Sequence, residues 1–234
     1  HNDINDLERL LDDCIQKQPN RIPLVITESL FSMEGTCPKL EETADLCKQY
    51  GAMLFVDEAH AIGILGSGGR GLCNNICNPI TMISGTFGKA FGSGGAFLAT
   101  NKDLYEKLIQ TSGAFRYTTA LAPPLAAAAL AALKLIQANP NWCSNLKKES
   151  ILWRRELSNE GWDIPSGIGP IIPLILGSDE ESLKKQNQLE SNGLLTIAIR
   201  PPTVPEGTSR LRIVLRNNLP KNTLEKLMFH LRKK

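Results

Sequence analysis

Short apolar runs separated by helical repeats dominate the first half of the chain. Residues 22–27 (IPLVIT) and 52–56 (AMLFV) are apolar at nearly every position and include β-branched side chains, the pattern of strands buried on both faces. Between them Leu40, Ala44, Cys47 and Tyr50 recur at helical spacing, and Gly51 closes the segment. This order is a βαβ unit, whose crossover makes its two strands parallel. Residues 80–84 (ITMIS) supply a third strand, 95–99 (GAFLA) a fourth, and 102–110 a following helix. The pattern predicts a mainly parallel sheet covered by helices, and so an α/β fold.

The second half reads differently. A helix begins at Leu121, with Pro123 and Pro124 confined to its first turn, where a missing N–H costs nothing, and it runs through alanines to about Gln137. We read it as the link between two domains, 1–137 and 138–234. Beyond it the periodicity predicts a helix over 146–157, a strand over 171–176, a helix over 180–190 stopped near Gly193, and strands near 194–199 and 211–215. A terminal helix then places Leu224, Leu227, Met228 and Leu231 on one face. This second part is a small α/β domain, and no internal repeat or low-complexity segment interrupts either half.

Composition narrows the partners. The 26 basic and 24 acidic residues leave a net charge of +2 without a basic stripe, which argues against a nucleic-acid surface. The longest apolar candidate, 121–136, is broken by Pro123, Pro124 and Lys134 and falls short of the roughly 20 residues of a membrane span. Cys14, Cys37, Cys47, Cys73, Cys77 and Cys143 contain no CxxC pair, and several fall among apolar helix positions. That suits reduced thiols in a cytoplasmic protein and gives no zinc pattern. The first residue is His1 rather than Met, with nothing like a signal peptide after it, so the expectation is a processed chain or a piece of a longer one.

Functional groups of open parallel sheets gather at the carboxyl ends of the strands. The first strand ends in Thr27-Glu28, soon followed by Ser32; the second in Asp57-Glu58-Ala59-His60; the third in Ser84-Gly85-Thr86-Phe87-Gly88-Lys89. In VDEAH a carboxylate and an imidazole at a strand end could hold a charged heteroaromatic ring, or could be an acid capping the next turn beside a surface histidine. GTFGKAFGSGG surrounds one lysine with small residues, leaving room for a ligand beside an amine able to form a Schiff base; a solvated loop lysine is the bland alternative. The spacing is not that of a Walker A loop. Gly66, Gly68 and Gly71 match GxGxxG literally, but the motif neither follows a strand directly nor is answered by a suitably placed acid, and is read as a flexible turn.

Taken in order, FSMEG, VDEAH, GTFGKAFG, YTTALAPP, IIPLILG and IRPPTVPEGTSRLRI resemble the α-oxoamine synthases, a family of pyridoxal-phosphate enzymes of fold type I. The resemblance implies the C-terminal part of the large, mainly parallel-sheet domain followed by a small C-terminal α/β domain, in a homodimer. The ending IRPPTVPEGTSRLR is most similar to members that condense L-alanine with pimeloyl-CoA or pimeloyl-acyl carrier protein, releasing carbon dioxide, to give 8-amino-7-oxononanoate for biotin synthesis. A sibling chemistry such as glycine C-acetyltransferase and a non-catalytic remnant both stay open. Carried over by motif, Lys89 would bind pyridoxal 5'-phosphate as a Schiff base and later serve as general base, and Asp57 would pair with the pyridine nitrogen. His60 would hydrogen bond the ring's phenolic oxygen or a substrate carbonyl, Ser32 would lie beside the cofactor, and Thr86 would help to hold the phosphate. Thr118 and Thr119 would reach a phosphate in the neighbouring subunit. Arg212 would clamp the amino-acid carboxylate, the alternative being a strand arginine in a surface ion pair, and Thr203 would contact substrate. The resemblance implies no metal. Family members carry an N-terminal arm, a glycine-rich turn and a ring-stacking histidine before the position of His1, so these would lie outside the 234 residues. Arg216-Asn217-Asn218-Leu219 stands where the family often has small residues and a histidine, which leaves fine substrate preference open.

Overall fold

The computed structural model describes residues 1–232. Its contacts divide the chain into two units, His1–Leu30 with Cys37–Cys143, and Phe31–Thr36 with the described residues from Ser144 onward. The first unit contains helix α1 (Ile4–Lys17), strand β1 (Leu24–Glu28), α2 (Leu40–Gln49), β2 (Met53–Asp57), β3 (Met82–Thr86), β4 (Ala96–Thr100), α3 (Lys102–Thr111), the short α4 (Gly113–Arg116) and α5 (Pro123–Ala138). Helix α6 (Asn141–Asn159) begins in it and continues in the second unit. Helix α1 lies outside the elements that the apolar pattern was used to place, although Ile4, Leu7, Leu11 and Cys14 recur along it at helical spacing and Leu11 is buried. It starts where the Asp3 carboxylate accepts from Asp6 N at 3.0 Å.

The sheet runs in the order β1-β2-β3-β4. The first three strands are parallel, and β1-α2-β2 is the βαβ unit that the apolar pattern indicates. Strand β4 runs antiparallel to β3, because residues 87–95 join them directly and are too few for a crossover, which takes about a dozen. Leu40, Ala44 and Cys47 of α2 meet alternate residues Leu54 and Val56 of β2 in a core that also takes in Cys73, Val25, Ile80 and Ile83. The GxGxxG segment is confined at Gly66 and Gly71, whereas Gly68 between them is exposed. Gly71 has φ +86°, and a Cβ there would stand 1.5 Å from Glu58 Oε2, so only glycine lets the backbone pass.

The second unit holds β5 (Ile171–Gly177), α7 (Asp179–Ser191), β6 (Ile197–Ile199), β7 (Ser209–Val214) and α8 (Thr223–Leu231). Its sheet is antiparallel in the order β5-β7-β6, and α7 packs against all three strands. Strand β6 is shorter than the apolar run suggests, because Leu194 N still bonds Leu189 O in the closing turn of α7. Pro173 sits in β5, a lateral strand of this sheet, where a missing ladder donor is tolerated. Leu157, Leu174, Leu189 and Leu211 are fully buried. Among the described residues none of the six cysteines forms a disulfide, and no helix is long and apolar enough to cross a membrane.

Leu211 lies on the central strand β7 with its side chain out of contact with water. Leu211→Ala should therefore cost about 2–5 kcal/mol through lost burial and the cavity left behind. Urea unfolding measures this directly, and a loss below roughly 1 kcal/mol would show that the unit does not pack as described.

Candidate active site

Parallel register sets the first group of residues. Glu28 pairs with Asp57, and Asp57 with Ser84, so the last residues of β1 and β2 lie in one row with Ser84, two residues before the end of β3. The row brings the Ser84 hydroxyl to Asp57: Ser84 Oγ donates to Oδ2 at 2.8 Å, and Ala59 N donates to Oδ1 at 2.7 Å. Each carboxylate oxygen thereby receives one donor and keeps further accepting capacity. Asp57 is half-buried and oriented from two sides.

The next residue takes the opposite course. Glu58 is 2% exposed, and its Oε1 accepts from Leu72 N at 2.8 Å and Cys73 N at 3.2 Å. Its carbonyl accepts from Ala61 N and Ile62 N, which closes the turn bearing the half-buried His60. Glu58 thus anchors the strand end to the 66–73 segment and frees its neighbours for other work. Burial pushes the Cys73 thiol well above the ordinary cysteine range, and the Glu58 carboxylate adds to the rise.

Lys89 occupies the connection between β3 and β4. Phe87 N bonds Gly95 O at 2.9 Å, Ser93 N bonds Phe87 O at 2.8 Å, and Gly92 N bonds Lys89 O at 2.9 Å. Phe87 packs against Phe91 and Phe97, each at 5.5 Å between ring centroids, and Phe91 is buried. The Ser93 hydroxyl ties the segment to the first turn of α5 through Leu125 O at 2.6 Å. Thr86 Oγ1 donates to Gly95 O and accepts from Gly88 N, both at 3.1 Å. The lysine backbone is therefore held from several directions while its side chain is exposed. Thr118 and Thr119 are exposed on the segment before α5, and the Thr118 hydroxyl donates to Ala114 O.

In the second unit, Arg210 and Arg212 project from the same face of β7, two residues apart. Arg210 is buried and fully engaged: Nε donates to Thr208 O at 3.0 Å, Nη2 to Thr208 Oγ1 at 3.1 Å, and Nη1 to Met33 O and Glu34 Oε1, both at 3.4 Å. Arg212 is half-buried, with Nη1 donating to Ser32 O at 3.4 Å and a buried Nε that has no hydrogen-bond partner. Among the described residues Arg210 makes an ion pair, with Glu34, and Arg212 makes none. A half-engaged guanidinium can still bind an anion, and Thr203 is exposed on the segment between β6 and β7. Sequence reasoning passed over Ser84, Glu58 and Arg210 as functional supports. Of these only Ser84 carried a local signal, as a polar residue at a strand end.

The aminotransferase class I and II family model matches residues 1–231. The chain belongs to that family. It is 41% identical over 217 residues to an 8-amino-7-oxononanoate synthase from Anaeromyxobacter dehalogenans, covering 92% of this chain and 54% of the relative, and 39% identical over 218 residues to the synthase of Cellvibrio japonicus, with the same coverage. The chain thus spans about half the length of the curated relatives it matches. Among solved structures it is similar to a serine palmitoyltransferase from Sphingomonas wittichii, with TM-score 0.88 and 27% identity over 98% of this chain and 58% of that one. An 8-amino-7-oxononanoate synthase from Francisella tularensis matches at TM-score 0.77 and 27% identity, over 96% of this chain and 64% of that one. The S. paucimobilis serine palmitoyltransferase, at 25% identity and TM-score 0.88 over 99% of this chain and 58% of that one, was solved with a bound PLP-myriocin aldimine. These matches agree with the α/β fold that the strand and helix pattern implies.

The environment of Cys73 gives a direct check of this geometry. With its thiol pushed up by burial and by Glu58, Cys73 should stay unmodified by iodoacetamide at pH 8 while the exposed Cys77 reacts. Peptide mapping of the folded protein measures both, and labelling of Cys73 at the rate of Cys77 would contradict the buried turn.

Proposed function

We propose that the chain carries the cofactor-binding lysine and the amino-acid-binding arginine of a pyridoxal-phosphate-dependent acyltransferase. In this reading it joins L-alanine to a pimeloyl thioester, on coenzyme A or acyl carrier protein, in the cytoplasm, yielding 8-amino-7-oxononanoate and carbon dioxide. The observation that carries the proposal is the Asp57 carboxylate, fixed by Ser84 and Ala59 at the end of β2, in the same sheet whose β3–β4 connection bears Lys89. The choice of alanine and a pimeloyl group rests on the 41% and 39% identity to two named 8-amino-7-oxononanoate synthases.

The residues suit the cofactor. Asp57 keeps accepting capacity for a pyridinium N–H, Lys89 offers an exposed amine on a fixed backbone, and small residues surround it. When bound, pyridoxal phosphate supplies an electron sink for the substrate's α-carbon. Lys89 Nζ holds the cofactor and then takes the α-proton of alanine as general base. His60 donates to a cofactor or substrate oxygen, and Ser32 lies beside the cofactor. Thr86 serves the phosphate while it keeps the Gly88 turn in place, and Thr118 and Thr119 reach the phosphate of the partner subunit in a homodimer. Arg212 receives the alanine carboxylate on its free N–H edge, and Thr203 contacts the substrate.

Borohydride trapping tests the reading on the complete protein. After incubation with pyridoxal phosphate and reduction, the pyridoxyl group should map to Lys89 and be absent from that peptide in Lys89→Ala. L-Alanine should shift the visible absorption of the unreduced protein. Label scattered over surface lysines, or no response to alanine, would sink the proposal. Arg212→Ala should raise the KM for alanine by roughly tenfold or more, the size of a lost charge-assisted pair of about 1.5–3 kcal/mol.

A further inference from the structure

Three arginines converge on one short loop, residues 31–36, and hold it by its carbonyl groups. Arg210 reaches Met33 O and Arg212 reaches Ser32 O, both from β7. The third is Arg154 of α6, far from β7 in sequence and 7% exposed. Its Nη1 donates to Pro165 O at 2.6 Å, and its Nη2 donates to Gly35 O at 3.2 Å, Gly169 O at 3.5 Å and Ile171 O. One guanidinium therefore joins the loop to the start of β5 and to the segment before it. The loop also closes on itself, with Gly35 N donating to Phe31 O at 2.8 Å and Phe31 N to Thr36 O at 2.9 Å.

Gly35 shows how close this approach is. It has φ +64°, and a Cβ there would stand 2.0 Å from Ile171 O and 2.9 Å from Arg154 Nη2. Any side chain would push the loop away from both. Gly167 is similarly confined, since a Cβ would lie 2.3 Å from Gly35 O. The loop is thus seated by backbone contact around a buried cation, and its contacts group it with the second unit although its sequence neighbours belong to the first.

We propose that Arg154 is a positioning residue for Arg212, acting through this loop. Arg154 fixes Gly35, the closed loop carries that fixation to Ser32 O, and Ser32 O tethers Arg212 Nη1. A tether on one nitrogen limits the rotamers of a long side chain, so less freedom is lost when the remaining N–H groups meet a carboxylate. A lysine cannot replace Arg154, because one ammonium cannot span Pro165 O, Gly35 O and Ile171 O as the planar guanidinium does. The catalytic consequence rests on the reading of Arg212 as the carboxylate-binding group.

The test compares Arg154→Lys, and separately Gly35→Ala, with the parent in the complete protein. Hydrogen exchange of the peptide spanning 31–36 should quicken in both, and the Arg212 Nε–H signal in ¹⁵N spectra should shift. The KM for L-alanine should rise by tenfold or more, up to about a hundredfold. The kcat per pyridoxal-labelled site should change by less than about threefold, within the scatter of remote substitutions. A residue that only supports folding would lower the number of labelled sites and leave KM untouched, and that result would overturn the proposal. Unchanged exchange and an unchanged Arg212 signal would overturn it as well. If the parent protein fails to respond to alanine, the functional reading falls, while the exchange and ¹⁵N data still decide whether Arg154 positions Arg212.

Discussion

Parallel register fixes which residues of neighbouring strands lie abreast, and here it places Glu28, Asp57 and Ser84 in a single row. The hydrogen bond from Ser84 to Asp57 is a consequence of the ladder, since register fixes which residues of neighbouring strands lie side by side. Period-two alternation then separates two adjacent carboxylates. Asp57 stays half-exposed and oriented, whereas Glu58 turns inward and is consumed by the amides of Leu72 and Cys73. A buried carboxylate without such donors would be costly to keep, so the glycine-rich segment and Glu58 require one another. The same strand end would lose its orientation if either were removed.

The second unit repeats this division of labour with cations. Arg210 and Arg212 share a face of β7, and their neighbours alone decide what each can do. Thr208 and Glu34 occupy Arg210, while Arg212 has one weak tether to Ser32 and a buried Nε without a hydrogen-bond partner. Satisfying a buried guanidinium takes several acceptors, and here carbonyl groups of one loop supply part of that need for all three arginines. The loop is consequently held by guanidinium groups from outside as well as by its own backbone hydrogen bonds.

Much of this was legible in the chain itself. Apolar runs located β1, β2, β3 and β5, although β1 is not buried on both faces as its run suggested: Leu24 and Ile26 are exposed. The motifs FSMEG, VDEAH and GTFGK drew attention to strand ends, where the structure also concentrates its polar groups. Direction was harder: nothing local in GAFLA says that β4 turns back on β3, and the shortness of the connection was the clue. Helix α1 was legible too, since Asp3 stands at its start and Ile4, Leu7, Leu11 and Cys14 follow at helical spacing, but it carries none of the motifs and was passed over. The GxGxxG segment looked like a flexible turn, since sequence shows a glycine's freedom but not the neighbouring carboxylate that makes glycine necessary. Glu58 and Arg154 were silent for a related reason. A charged residue destined for burial resembles a surface one until its distant acceptors are known.

These differences bear on how chemistry and recognition are divided along the chain. Asp57 and Lys89 owe their placement to a parallel ladder and a hairpin packed by three phenylalanines, features built from main-chain hydrogen bonds and ring contacts within the first unit. Arg212 owes its placement to carbonyl groups gathered around guanidinium groups in the second unit. Substitutions around β7 would therefore act on Arg212, the proposed anion-binding group, without touching the contacts that orient Asp57 and the backbone of Lys89. Substitutions at Ser84, Glu58 or the phenylalanines would act first on the orientation of Asp57 and on the segment that bears Lys89. The loop at 31–36 is the exception, because its backbone is continuous with the first unit while its hydrogen bonds are made in the second, so strain introduced there enters through one unit's chain and is resisted by the other's arginines.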